Sequence, residues 1–163
     1  MARLSAGILL YRKVGPEYEV LLVHPGGPFW AKKDVGSWSA PKGEYTEGED
    51  PLAAAKREFQ EETGGQAPAG EYVDLGDAKQ SGGKLVHLWA TEGDFDLKAF
   101  HSNTFEMEWP PKSGNMQAFP ECDRAVWVQL KFAAQKVVKG QVVFIERLAE
   151  QLHTETAEQV SLF

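Results

Sequence analysis

Residues 43–65, GEYTEGEDPLAAAKREFQEETGG, constrain this chain more than any other stretch. They read as a loop passing into a short helix that carries its own start and stop signals. Asp50 is a good N-cap, Pro51 suits the first helical position, and Gly64 with Gly65 ends the helix. Leu52, Ala55 and Phe59 fall on one side, the face expected to meet a core. On the neighbouring arc Glu58, Glu61 and Glu62 stand three and four residues apart, so their carboxylates share a face. Stacked like charges cost a free helix only about 0.2–0.5 kcal/mol per pair. Acidity alone therefore fits a plain solvated surface equally well.

The wider spacing discriminates. Gly43, five residues, Glu49, seven residues, then Arg57-Glu58-Phe59-Gln60-Glu61-Glu62-Thr63-Gly64 resembles the signature box of the Nudix hydrolases. Fixed positions at this spacing match by chance on the order of once in a million chains of this length. One position departs, because the family ends the box with an aliphatic residue where this chain has Gly65. That difference concerns packing and leaves the chemistry untouched. Trp38-Ser39-Ala40-Pro41-Lys42 leads into the box, and its Pro-Lys-Gly form resembles the branch that hydrolyses diadenosine polyphosphates and oxidised nucleoside triphosphates.

The resemblance implies a Nudix-type α/β/α sandwich with a mixed β-sheet, covering roughly Ser5 to Leu152. Glu58, Glu61 and Glu62 match the metal-binding glutamates of the box. Arg57 and Glu49 match its internally paired positions, expected to brace loop against helix. The Lys42 carbonyl corresponds to a further ligand in some members, and Glu121 lies where others place an additional metal ligand or base. Glu58 is the first choice for general base, with Glu61 and Glu121 as alternatives, and Arg57 belongs to the same catalytic group. Carboxylate oxygens suit magnesium, with manganese as a substitute. An ion so held bridges phosphate oxygens and acidifies an attacking water, as hydrolysis of a diphosphate bond requires.

The implied reaction is magnesium-dependent cleavage of a diphosphate linkage in a nucleoside diphosphate derivative, a dinucleoside polyphosphate or a modified nucleoside triphosphate first. The alternative is a catalytically silent Nudix-fold module that senses a nucleotide. Such modules often lose a box glutamate or the arginine, and this chain keeps them all.

Elsewhere the chain reads as one domain over 1–153 with a frayed tail at 154–163. Residues 4–11 and 18–23 form a hairpin turning at Gly15-Pro16. HPGGPFWAKKDVGSW is a long loop holding Phe29, Trp30, Lys32 and Lys33. Its aromatics and cations, Trp30, Phe29 and Lys33 above all, suit a stacked base and a held phosphate. Phe29 and Trp30 equally suit a flap packed on the sheet. Lys42 is a second phosphate contact or a solvated loop lysine. Residues 70–79 and 84–91 are strands joined by Ser81-Gly82-Gly83, with His87 a satisfied histidine rather than a ligand. Residues 93–120 read as irregular, because Pro110-Pro111 and Gly114 interrupt any element, with Glu106 and Glu108 as possible auxiliary acids on a substrate wall. Residues 121–129 read as a last strand and 132–138 and 141–152 as helices.

Charge and cysteine content bound the partners. The net charge of −7 over 163 residues repels extended nucleic-acid backbones, leaving small anionic nucleotides bridged by a metal. A single cysteine, Cys122, excludes an internal disulfide and a cysteine-rich zinc site. No apolar run approaches a membrane span and no signal peptide is visible, which points to the cytoplasm; a monomer or homodimer is expected.

Overall fold

The computed structural model describes residues 3–153; the expected frayed tail lies outside the described residues. Strand β1 (Arg3–Val14) is the central strand and turns at Gly15 into β2 (Glu17–Pro25), antiparallel to it. A short strand, β3 (Lys42–Tyr45), pairs antiparallel with the first half of β1. It lies where the sequence suggested only loop, because four residues are too few to show a period.

Helix α1 (Pro51–Thr63) forms as its caps require. The Asp50 side chain accepts from the Ala53 N–H at 2.9 Å, and Gly64 takes the left-handed conformation, φ 83°, at the other end. Strands β4 (Val73–Lys79) and β5 (Lys84–Glu92) follow, and β5 returns parallel to β1. After the two-stranded β6 (Thr104–Glu108) and β7 (Met116–Pro120), strand β8 (Cys122–Gln129) pairs antiparallel with β2. Helices α2 (Leu130–Lys136) and α3 (Val142–Gln151) close the chain. The main sheet runs β4-β5-β1-β2-β8, with β3 beside β1.

Both faces of this mixed sheet are covered. Ala6, Ile8, Leu10 and Leu21 meet Ala54, Ala55 and Phe59 of α1, while Leu9, Val20 and Leu22 meet Leu130, Phe144 and Leu148 of α2 and α3. Alternate residues of β1 and β2 thus serve opposite faces, the period-two rule for a strand. The architecture is the expected α/β/α sandwich.

The expectation of an irregular segment at 93–120 is corrected. The two prolines and Gly114 lie in the turn between β6 and β7, so they shape a hairpin instead of forbidding one. Glu108 caps that turn, accepting from the Lys112 N–H at 2.7 Å and the Gly114 N–H at 3.2 Å. A carboxylate committed this way on an exposed hairpin is no auxiliary acid. Exposed Glu106 shares its strand. His87 is satisfied as expected, placed 2.5 Å from Asp74 and 2.6 Å from Asp77 and stacked on Trp89.

Candidate active site

The acidic cluster is assembled where α1 meets β3. Gly43 in β3 permits the approach, because a Cβ there would overlap the Glu58 carboxylate. Glu58 therefore lies buried between helix and strand, 7% exposed, with its carboxyl raised above the ordinary range by burial and by the charge of Glu61. Arg57 reaches across the cluster. Its guanidinium lies 2.9 Å from Glu58, 3.4 Å from Glu61 and 3.2 Å from Glu49. The expected Arg57–Glu49 brace is present, and the same cation also bridges two box glutamates.

Glu62 turns inward. Its carboxylate accepts from the Lys42 N–H at 3.1 Å and from the Cys122 thiol, and burial raises its pKa to about 7. The thiol is raised in turn by burial and by Glu62. Lys42 is lowered by the same loss of water.

Glu121 comes from the far end of the chain, and backbone bonds place it. The Asn103 N–H donates to the Glu61 carbonyl at 2.8 Å, the Glu121 N–H to the Asn103 carbonyl at 2.8 Å, and the Gly26 N–H to the Glu121 carbonyl at 2.9 Å. This relay ties the C-terminal turn of α1 to the start of β8 and the end of β2. The Glu121 carboxyl is raised by burial and by Glu61, so the two acids sense each other.

Beside these acids lies a cleft of about 260 Å³, lined by residues including Trp30, Ser39, Lys42, Glu62, Glu121 and Cys122. Of the residues chosen from sequence, the fold brings Trp30, Lys42, Glu62 and Glu121 to the cleft. Glu58, Glu61 and Arg57 adjoin Glu62 and Glu121. Phe29 and Lys33 are not among its lining residues: Phe29 is 62% exposed and packs edge-on against Trp109, and the Lys33 ammonium lies 4.9 Å over the Trp30 ring. The loop is fastened by His24, fully buried, whose ring nitrogens lie 2.8 Å from Asp123 and 2.6 Å from the Lys33 carbonyl. Sequence reasoning passed over Cys122, Asn103 and His24, because their roles depend on partners remote in the chain.

Among the described residues no three His, Cys, Asp or Glu side chains converge closely enough to ligate one ion as they stand. The donor set nonetheless fits a divalent cation. It consists of hard carboxylate oxygens, and a cation, the Arg57 guanidinium, already bridges Glu58 and Glu61.

Comparison with known proteins bears on the family and the fold. The family model described as NUDIX domain matches residues 1–148. No curated protein matches significantly. Among solved structures, the chain resembles a C. elegans Ap4A hydrolase in a binary complex, at 21% identity and TM-score 0.65, over 91% of this chain and 98% of that one. It resembles the NUDIX domain of Shewanella oneidensis NrtR complexed with ADP ribose at 18% identity and TM-score 0.64, over 93% and 89%. It also resembles the MutT protein of Methanosarcina mazei Go1 at 18% identity and TM-score 0.57, over 92% and 94%. At such identities the likeness is one of fold.

Proposed function

We propose that this chain, which belongs to the Nudix family and is a pyrophosphohydrolase, cleaves a diphosphate linkage in a nucleoside diphosphate derivative with the help of magnesium. A dinucleoside polyphosphate or a modified nucleoside triphosphate is the favoured substrate class. The observation that carries this reading is the junction of four acids, Glu58, Glu61, Glu62 and Glu121, with a cleft holding Lys42 and Trp30. Nudix hydrolases generally use divalent metal ions. Here Glu58, Glu61 and Glu62 would hold the ion, which when bound neutralises phosphate charge and acidifies a water.

The protein's own groups supply the rest. Lys42, poorly hydrated, pairs with phosphate oxygens more strongly than an exposed lysine does. Trp30 offers a ring face to a base. Arg57 fixes Glu58 and Glu61 so that neither swings into solvent. The attacking water forms a new P–O bond, the anhydride P–O bond breaks, and the water proton passes to a carboxylate. The carboxyls of Glu58 and Glu121 are both raised by burial, and geometry separates them: Glu58 is held by Arg57 beneath Gly43, whereas Glu121 lines the cleft and takes that proton.

The test is a magnesium-containing substrate panel of diadenosine polyphosphates, normal and oxidised triphosphates, sugar nucleotides and ADP-ribose, run with Glu62→Gln and Glu121→Gln. Cleavage of one class, lost in Glu62→Gln, is expected. Nucleotide binding without turnover by the wild type would instead identify a sensor module.

A further inference from the structure

The cleft does not end at the acids. Gln80, Ser81 and Val138 line both it and a second cavity of about 440 Å³, whose other lining residues are Lys79, Lys139 and Gly140. Two turns build this second compartment, the one joining β4 to β5 and the one preceding α3. They meet where the Gly140 backbone lies against Gln80, close enough that a Cβ would sit 2.8 Å from Gln80 Cγ.

The two compartments are held in register. The Gln141 side chain accepts from the Ala40 N–H at 3.0 Å and donates to Ser39 Oγ at 2.8 Å, fastening the second wall to the first. Three features then point to an anionic occupant. Lys79 and Lys139 are exposed cations, and among the described residues no carboxylate lies within ion-pair distance of either. They line one cavity together, on a chain whose net charge is −7. The Gln80 amide Nε2, at the junction, is buried with no acceptor in the described residues. A buried donor without an acceptor is costly, so it marks a place where an acceptor is supplied from outside.

We infer that the compartment bounded by Lys79, Gln80 and Lys139 binds the phosphate chain of the substrate beyond the linkage that is cleaved. This rests on the hydrolase reading for its place in the reaction, although not for its binding chemistry. It selects nucleotides whose negative charge continues past the scissile diphosphate, such as dinucleoside polyphosphates, over those that continue into a neutral sugar.

Inorganic tripolyphosphate is the probe, titrated calorimetrically in metal-free buffer against the wild type, the double variant Lys79→Ala/Lys139→Ala and Gln80→Leu. Binding is expected to weaken about tenfold in the double variant, with a steep salt dependence in the wild type. Gln80→Leu should weaken it several-fold while melting no lower than the wild type, since the substitution removes an unsatisfied donor. With magnesium, kcat/KM of the double variant should fall about tenfold on diadenosine tetraphosphate and less than twofold on ADP-ribose. Unchanged tripolyphosphate binding in the double variant, or equal losses on the two nucleotides, overturns the inference. If the wild type hydrolyses nothing and the tripolyphosphate result holds, the hydrolase reading fails and the anion site stands.

Discussion

At the residue scale the decisive feature is an absence, the missing side chain of Gly43. Its hydrogen leaves room for the Glu58 carboxylate, which the Arg57 guanidinium then holds at 2.9 Å. Gly43→Ala should push Glu58 outward and cut kcat at least tenfold, with the melting temperature changing by only a few degrees. Steady-state kinetics beside thermal melts check this, and an intact kcat would remove Glu58 from the working site. Glu62 gives a second prediction. Its folded pKa of about 7 lies above the ordinary 4.5, so between those values the folded chain keeps a proton that the unfolded chain has lost. Stability of the metal-free protein should therefore fall as pH rises through this window, by on the order of 3 kcal/mol from this group. Burial raises Glu58 and Glu121 too, and both act with the same sign. Denaturant melts in chelator at pH 5 and pH 8 measure the slope, and Glu62→Gln should flatten most of it.

At the scale of elements, the end of α1 explains the one departure from the family box. A Cβ on Gly65 would lie 2.7 Å from Phe95 Cε2, and Phe95 also packs edge-on against Phe59 of the helix. Phe95 thus fills the space that an aliphatic residue at 65 would occupy. Gly65→Leu should destabilise by about 1–3 kcal/mol through overpacking. In the background of Phe95→Ala the same change should cost much less, a coupling that a double-mutant cycle reads directly. The elements legible in the sequence were those whose signals are local. Asp50, Pro51 and Gly64 mark α1, and runs of apolar, β-compatible residues mark β1, β2 and β5. The hairpin of β6 and β7 is not legible, because Pro110, Pro111 and Gly114 read locally as breaks although they form its turn. Strand β3 was lost to its length. The box spacing exposed Glu58, Glu61, Glu62 and Arg57, and only three-dimensional pairing reveals Cys122 against Glu62 or Gln80 at the junction of two cavities. Phe29 and Lys33 are not among the residues lining the cleft, since composition shows a cationic aromatic loop and not the direction in which each side chain points.

At the scale of the whole molecule, the sheet brings opposite charges to one end. Segments ending or starting there include the close of β2, the start of β8, the short β3 and the turn after β4, and these supply Glu121, Lys42 and Gln80 around one continuous cleft. Burial first, and repulsion from Glu61 second, raise the carboxyls of Glu58 and Glu121 at this end. The folded state therefore carries a strain that the unfolded chain lacks, and a cation that binds only the folded state relieves it. Magnesium at a hundred times its dissociation constant should stabilise the protein by about 2.7 kcal/mol, a rise in melting temperature of roughly 6–10 °C for a domain of this size. Adding excess chelator should return the melting temperature to its metal-free value. Glu62→Gln, which lacks one donor oxygen's charge, should begin with a higher metal-free melting temperature at pH 8 and gain much less from magnesium. A full magnesium response in Glu62→Gln would place the ion elsewhere on the molecule and break the link between the acidic end of the sheet and its chemistry.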